Sequence, residues 1–271
     1  MTNKLQSLVY NKFSDYFNLP VKRLYFCALK KMDMTGNKMV NELNARFRNS
    51  SPEEVIGYFL KDFDGKMAFG TSLGAEDQVL IKMIADIDPD TFIFTLDTGR
   101  LFTETYSLIS KTMKTYPVTI HVFFPDAEKV EKMVNEFGIN LFYDSVEKRE
   151  LCCNIRKVEP SKRAFSGVDA WICGIRRNQS VSRYATQVVE WDEQKNIIKV
   201  NPVYRWTEEQ VWEYITKYNI PYNPLHDNGY PSISCQPCTR AIKPGEDVRA
   251  GRWWWEESEK KECGLHNHHG E

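Results

Sequence analysis

Apolar positions near the start of the chain recur with a helical spacing. Leu5, Leu8, Val9, Phe13 and Phe17 are set in an otherwise polar stretch, and Pro20 interrupts the pattern. Residues 1–35 are read as a helical extension. Met39 to Phe63 carries the pattern of two helices. Ser51 is suited to cap the second of these, with Pro52 in its first turn and Glu54 at the capping-box position. The period then changes. Lys66–Phe69 is a short apolar run that ends in Gly70-Thr71-Ser72-Leu73-Gly74, and Asp77–Ile87 returns to a helical period. Thr91–Leu96 and Val118–Phe124 read as strands, with a helical stretch from Thr103 to Met113 between them. Ala170–Gly174 and Ile197–Val203 read as further strands, followed by a helix over Thr207–Tyr218 with Thr207 as its N-cap.

Strands that alternate with helices predict an α/β fold around a parallel sheet. From about Asn223 the periodicity fades, and Pro, Gly, Cys, Arg, Trp and His dominate. The expected organisation is an N-terminal helical extension (1–38), an α/β domain (39–240) and a mobile C-terminal segment (241–271). No internal repeat or low-complexity tract interrupts this order.

Composition narrows the class. The chain has 271 residues, of which 42% are hydrophobic and 27% charged, which is a globular balance with enough length for a sizeable core. The 36 basic and 37 acidic side chains nearly cancel, so general nucleic-acid binding is not expected. No run of 18 apolar residues predicts a membrane span, and the start of the chain lacks the apolar core of a secretory signal. A cytoplasmic location is expected. The seven cysteines are then expected mainly as thiols, metal ligands or catalytic groups.

Three groups of residues carry candidate chemistry. The first is the pair of strand-to-helix turns, Gly70–Ala75 and Leu96-Asp97-Thr98-Gly99-Arg100. Glycines and small hydroxyl residues there suit a phosphate or nucleotide, and turns at the carboxyl ends of neighbouring strands form the crevice where α/β sheets bind ligands. An ordinary turn is the plain alternative. Glu76 and Asp77 would repel phosphate, so they are expected to serve the first helical turn or a ribose.

The second group is cysteine. Cys152-Cys153 and the CxxC of Cys235 and Cys238 offer four thiolates. That count suits a 4Fe–4S cluster or a structural zinc, and a redox CxxC beside an unrelated pair stays open. Adjacent cysteines reach one centre only from a bent segment, and a bulky cluster tolerates this better than a single tetrahedral ion. Cys27 and Cys173 lie in apolar settings and read as core residues. Cys263, in Lys260-Lys261-Glu262-Cys263-Gly264-Leu265-His266, has cationic neighbours that favour a nucleophilic thiolate.

The third group is basic: Arg156-Lys157, Arg176-Arg177, and Arg249 with Arg252 ahead of Trp253-Trp254-Trp255. Guanidinium forks suit phosphate and sulfate oxygens. The tryptophans read as packing residues, His268 and His269 as solvated, and His121 and His226 carry no signal.

Taken together, the segments TSLGAED (71–77), LDTGR (96–100), CCNIRK (152–157), GIRRNQS (174–180), CQPC (235–238), RAGRWWW (249–255) and ECGLH (262–266) resemble the assimilatory adenylylsulfate (APS) reductases. These are the cluster-containing branch of the APS/PAPS reductase family. The resemblance implies a Rossmann-like sheet of the adenine-nucleotide α-hydrolase type. It implies reduction of APS to sulfite and AMP through an S-sulfonated cysteine, which thioredoxin or glutaredoxin then cleaves. Carried over, Cys263 is the nucleophile, and Cys152, Cys153, Cys235 and Cys238 hold the 4Fe–4S cluster. Ser72, Gly74, Leu96, Asp97, Thr98 and Gly99 line the nucleotide pocket. Lys157, Arg176 or Arg177, Arg249, Arg252 and His266 contact the phosphosulfate. With no thioredoxin-like segment after Cys263, the reductant is expected to be a separate protein, and a homo-oligomer is expected. The rival readings are a PAPS or dual APS/PAPS reductase, a tRNA sulfurtransferase and a zinc-stabilised nucleotide-binding protein. The second of these would want an SGGxDS-type loop and a more basic surface.

Overall fold

A computed structural model describes residues 33–180 and 183–256. The N-terminal extension before residue 33, and Cys27, Cys263, His266, His268 and His269, lie outside the described residues. Helix α1 (Asp33–Arg46) crosses the expected boundary at 38/39, and α2 (Pro52–Lys61) follows. Ser51 caps α2 as its sequence predicts. Its hydroxyl accepts from the Glu54 N–H at 3.2 Å, and the Glu54 carboxylate accepts from the Ser51 N–H at 2.8 Å.

The centre of the molecule is a six-stranded sheet in the order β3-β2-β1-β4-β6-β5. Its strands are β1 (Met67–Gly70), β2 (Ile93–Leu96), β3 (Ile120–Phe123), β4 (Ala170–Ile172), β5 (Val189–Asp192) and β6 (Ile197–Val200). All neighbours pair in parallel except β5 with β6, which is an antiparallel edge. The expected α/β fold is therefore present. The helices are α3 (Ala75–Ile87), α4 (Thr103–Thr115), α5 (Ala127–Phe137), α6 (Val146–Cys153), α7 (Glu159–Ala164) and α8 (Glu208–Tyr218).

The core forms where the strands present continuous apolar runs to the helices. Phe69, Ile93, Ile172 and Val200 are fully buried with Val79, Leu80 and Ile84 of α3 and Val55, Ile56 and Phe59 of α2. Burial on both faces of the sheet explains why the strands read as unbroken apolar runs rather than alternations. The chain runs outward from β1 through β2 to β3, then returns to place β4 on the other side of β1. The carboxyl ends of β1 and β4 thus flank the point where strand order reverses, the usual location of a ligand crevice.

Residues 240–256 pack back onto this body. Thr239 pairs with Arg252 in an antiparallel bridge, the Arg240 N–H donates to the Gly251 carbonyl, and Trp253 is almost fully buried. Among the described residues, no helix is long and apolar enough to cross a membrane.

Candidate active site

A cavity of about 250 Å³ opens at the carboxyl ends of β1, β2 and β4. Its walls come from the β1–α3 loop, the β2–α4 turn, the segment after β4, and residues 231–234 and 248–252.

In the β1–α3 loop the Ser72 and Leu73 donors are taken up within the loop itself. Asp77, buried in the first turn of α3, accepts from the Ser72 N–H at 2.6 Å and the Ser72 hydroxyl at 2.8 Å. Leu73 takes a left-handed backbone (φ 62) in this loop, and its N–H donates to the Thr71 hydroxyl at 3.0 Å. The loop is closed on its own carboxylate. Burial is the largest influence on Asp77 and pushes its carboxyl up to about 6, against the pull of the Ser72 hydrogen bonds. Gly174, just after β4, has to be glycine, because a Cβ there would sit 2.3 Å from the Asp77 carboxylate.

Glu76 also serves the protein rather than an anion. It accepts from Arg176 Nε at 2.7 Å and from Gln179 Nε2 at 2.9 Å. Arg176 is buried by this pair at the cavity wall. Arg177 points elsewhere. It donates to the Thr186 carbonyl at 2.6 Å, lies over the Tyr204 ring and lines a separate depression with Arg48 and Arg205.

In the β2–α4 turn, Leu96 and Thr98 line the cavity, whereas Asp97 and Gly99 shape the turn. The Asp97 carboxylate accepts from the Gly99 N–H at 2.7 Å and the Tyr106 hydroxyl at 2.8 Å. Gly99 has φ +69, a conformation that favours glycine. Three aromatic side chains also line the cavity: Phe94 of β2, Trp171 of β4, and Phe165 after α7, whose ring is edge-on to each of the others at 5.2 and 4.9 Å. Sequence reasoning passed over Phe94 and Phe165 because an aromatic in a strand or short helix reads as core.

The cavity lining also carries cations. Lys157 donates to the Ser234 hydroxyl at 2.7 Å, and Arg252 donates to the Ser232 hydroxyl at 3.3 Å while lying 4.7 Å from the centre of the Trp253 ring. Arg249 joins them in the lining. Lys157 and Arg252 are both largely buried, so their charge acts in a weakly screened setting. Of the predicted pocket residues, the cavity gathers Ser72, Gly74, Leu96, Thr98, Lys157, Arg176, Arg249 and Arg252.

Behind Lys157 are the paired cysteines. Helix α6 ends on Cys152-Cys153, and the chain continues into a π turn (Asn154–Val158), in which the Glu159 N–H reaches back to the Asn154 carbonyl. Pro160 follows in the first turn of α7. Lacking an N–H and clashing with the preceding turn, proline favours such widening. Cys152, Cys235 and Cys238 meet in one apolar cluster with Met133, Leu141, Phe142 and Trp253. Cys238 also senses the charge of Cys153 as well as of Cys152 and Cys235. All five described cysteines are thiols rather than disulfides.

The four thiols are not equivalent. Burial pushes Cys238 up to about 12 and raises Cys152. Burial acts the same way on Cys235, but there Lys157, the Thr98 hydroxyl at 3.2 Å and Arg252 outweigh it, and the thiol lies below its ordinary value. Arg156 donates to the Thr98 carbonyl at 2.6 Å and ties the π turn to the β2–α4 turn. Among the described residues, no three His, Cys, Asp or Glu side chains are arranged around a single metal ion. Cys152, Cys235 and Cys238 share one buried cluster, and Cys153 is partly exposed.

Residues 66–241 match the phosphoadenosine phosphosulfate reductase domain. The chain belongs to the phosphoadenosine phosphosulfate reductase family. Within the family it is 48% identical over 219 residues to the adenosine 5′-phosphosulfate reductase of Allochromatium vinosum, covering 81% of this chain and 85% of that relative. It is 51% identical over 201 residues to the enzyme of the same name from Burkholderia cepacia, covering 74% and 80%. The crystal structure of a phosphoadenylyl-sulfate reductase from Candida auris, a phosphate complex, superposes with a TM-score of 0.65 at 32% identity, covering 75% of this chain and 96% of that one. The family members so named are oxidoreductases acting on a sulfur group.

Proposed function

We propose that the chain reduces adenosine 5′-phosphosulfate (APS) to sulfite and AMP. The observation that supports this reading is that aromatic and cationic side chains line one cavity, with the Cys152, Cys235 and Cys238 thiols clustered next to Lys157. Phe94, Phe165 and Trp171 offer a stacking surface for the adenine. Lys157, Arg249 and Arg252 take the phosphosulfate, where negative charge grows on the phosphate oxygens as AMP departs. Because the β1–α3 loop is closed on Asp77, it serves the nucleoside rather than the anion.

Cys263 is the proposed nucleophile. Its thiolate attacks the sulfate sulfur, an S–S bond forms, and the S–O bond to AMP breaks with its electron pair leaving on the phosphate. A thiolate of thioredoxin or glutaredoxin then attacks Cys263 Sγ and releases sulfite. The second thiol of that protein resolves the mixed disulfide and restores Cys263. The sum is APS plus two thiols giving sulfite, AMP and one disulfide. His266 is proposed to help hold the phosphosulfate.

Cys152, Cys153, Cys235 and Cys238 would hold a 4Fe–4S cluster. When bound, it supplies a fixed charge and a rigid wall beside Lys157, while the electrons of the reaction arrive as thiols. A reducing cytoplasm and a homo-oligomeric state fit this reading.

The test is turnover with thioredoxin as reductant and APS or PAPS as substrate. Sulfite and AMP formed one-to-one from APS, with slower turnover of PAPS, support the reading. Faster turnover of PAPS makes the chain a PAPS reductase. No sulfite from either overturns the proposal.

A further inference from the structure

One ion pair joins the cysteine-bearing helix to the last described residue of the C-terminal segment. Arg149 lies on α6, three and four residues ahead of Cys152 and Cys153, and so about one helical turn from both. Its guanidinium grips Glu256 through both arms, Nε to Oε1 at 2.9 Å and Nη2 to Oε2 at 3.0 Å. The two side chains are 2% and 3% exposed. The same guanidinium lies 5.1 Å from the centre of the Trp253 ring, and the Trp253 N–H donates to the Cys238 carbonyl at 3.1 Å. The Glu256 N–H in turn donates to the Trp253 carbonyl at 2.9 Å. Arg149 therefore touches the C-terminal segment, adjoins the Cys152-Cys153 pair along its own helix, and reaches Cys238 through Trp253.

A buried pair of this kind contributes little net stability, because the desolvation of both charges offsets their attraction. What it provides is geometry. A bidentate guanidinium–carboxylate fork fixes the distance and orientation of both partners. The remaining seven residues from Glu256 to Cys263 span at most about 25 Å when extended, so the place where the segment starts limits where Cys263 can arrive.

We propose that Arg149 and Glu256 are a positioning pair. It sets the origin of the segment carrying Cys263 relative to the cysteine-bearing helix and the cavity, and it rests on the reading of Cys263 as nucleophile. The pair touches neither substrate nor reacting atoms. It acts by placing the thiol, so its loss slows attack without weakening nucleotide binding. A misplacement of about 1 Å costs on the order of a hundredfold in rate when the reacting groups must be aligned.

The decisive variant is Arg149→Met with Glu256→Leu, which leaves no unpaired buried charge. Three quantities are read on the full chain purified without air: AMP affinity, visible absorption with iron content, and the single-turnover rate at which APS sulfonates Cys263. AMP affinity and iron content are expected to match the wild-type chain, while the sulfonation rate falls roughly tenfold or more. A rate within about twofold of wild type overturns the positioning role. So does a loss of iron or AMP affinity that accounts for the slower rate, since the pair is then a support for the cysteine pocket. If the double variant does not fold, Arg149→Lys carries the test: the charge stays, the fork is lost, and the same rate is expected to fall while AMP affinity holds. Failure of the wild-type chain itself to form any adduct overturns the underlying reading and the positioning role with it.

Discussion

Lys157 donates its ammonium to the Ser234 hydroxyl at 2.7 Å. The two residues join the π turn that follows Cys152-Cys153 to the residue just before Cys235. A cation held this way is anchored to both halves of the cysteine site and still lines the cavity. Its neighbour Arg156 is spent on a backbone carbonyl of the β2–α4 turn. Of these two adjacent cations, Lys157 lines the cavity and Arg156 does not.

Lys157→Ala is therefore expected to raise the KM for APS and lower kcat/KM by about tenfold to a hundredfold, the effect of losing one charge-assisted hydrogen bond of roughly 1.5–3 kcal/mol. Iron content should stay near that of the wild-type chain. Steady-state kinetics with a parallel iron assay makes the comparison. Unchanged kcat/KM removes Lys157 from the substrate site.

Arg176 and Arg177 are adjacent in sequence and divergent in space. Arg176→Gln removes the ion pair with part-buried Glu76 and a cation from the cavity wall, and is expected to reduce kcat/KM by about tenfold, the effect of losing one charge-assisted hydrogen bond. Arg177→Gln changes a side chain that lies over Tyr204 outside the cavity, and its kcat/KM should stay within about twofold. Equal losses in both variants contradict the assignment.

Asp77 gives the fold a pH dependence. Its carboxyl rises from the ordinary 3.8 to about 6 in the folded protein. A group raised on folding favours the native state fully below its unfolded value and loses that favour as pH rises through the folded value. The span corresponds to about 3 kcal/mol. The melting temperature of the wild-type chain should thus fall relative to that of Asp77→Asn as pH rises from about 4 to about 6, and level off above that. Parallel profiles would falsify this.

Cys235→Ser tests the shared thiol pocket. Cys235 sits between Thr98, Lys157 and Arg252, and is held below its ordinary value against the cost of burial. Its replacement is expected to abolish the visible absorption of the anaerobically purified chain and to lower its melting temperature, because metal binding and folding are linked. Full iron content in this variant contradicts the four-cysteine ligand set.

Much of this was legible in the sequence. The strands fell where short apolar runs ended in glycine turns, and the caps Ser51 and Thr207 were readable because capping is local. The antiparallel edge strand β5 escaped notice. Val189–Asp192 is short and half polar, and only its pairing with β6 defines it. Helices α5 and α6 were equally hard to see, since their buried faces pack the cysteine pocket rather than the main core. The cavity residues named from motifs were largely found together. Asp97 and Gly99 instead build the turn, and Arg177 turns away, because a motif records neighbours in sequence and not the direction of each side chain. Asp77 was expected to serve the first helical turn or a ribose, and in the structure its carboxylate accepts from Ser72 five residues earlier, a contact that depends on the backbone path of the loop.

The most direct test of the account is mass spectrometry of the chain after incubation with APS and no thiol. The account predicts one sulfonate group per chain, located on Cys263, with one AMP released for each group and complete removal by reduced thioredoxin. An unmodified chain, or a sulfonate on any of Cys152, Cys153, Cys235 or Cys238, contradicts it.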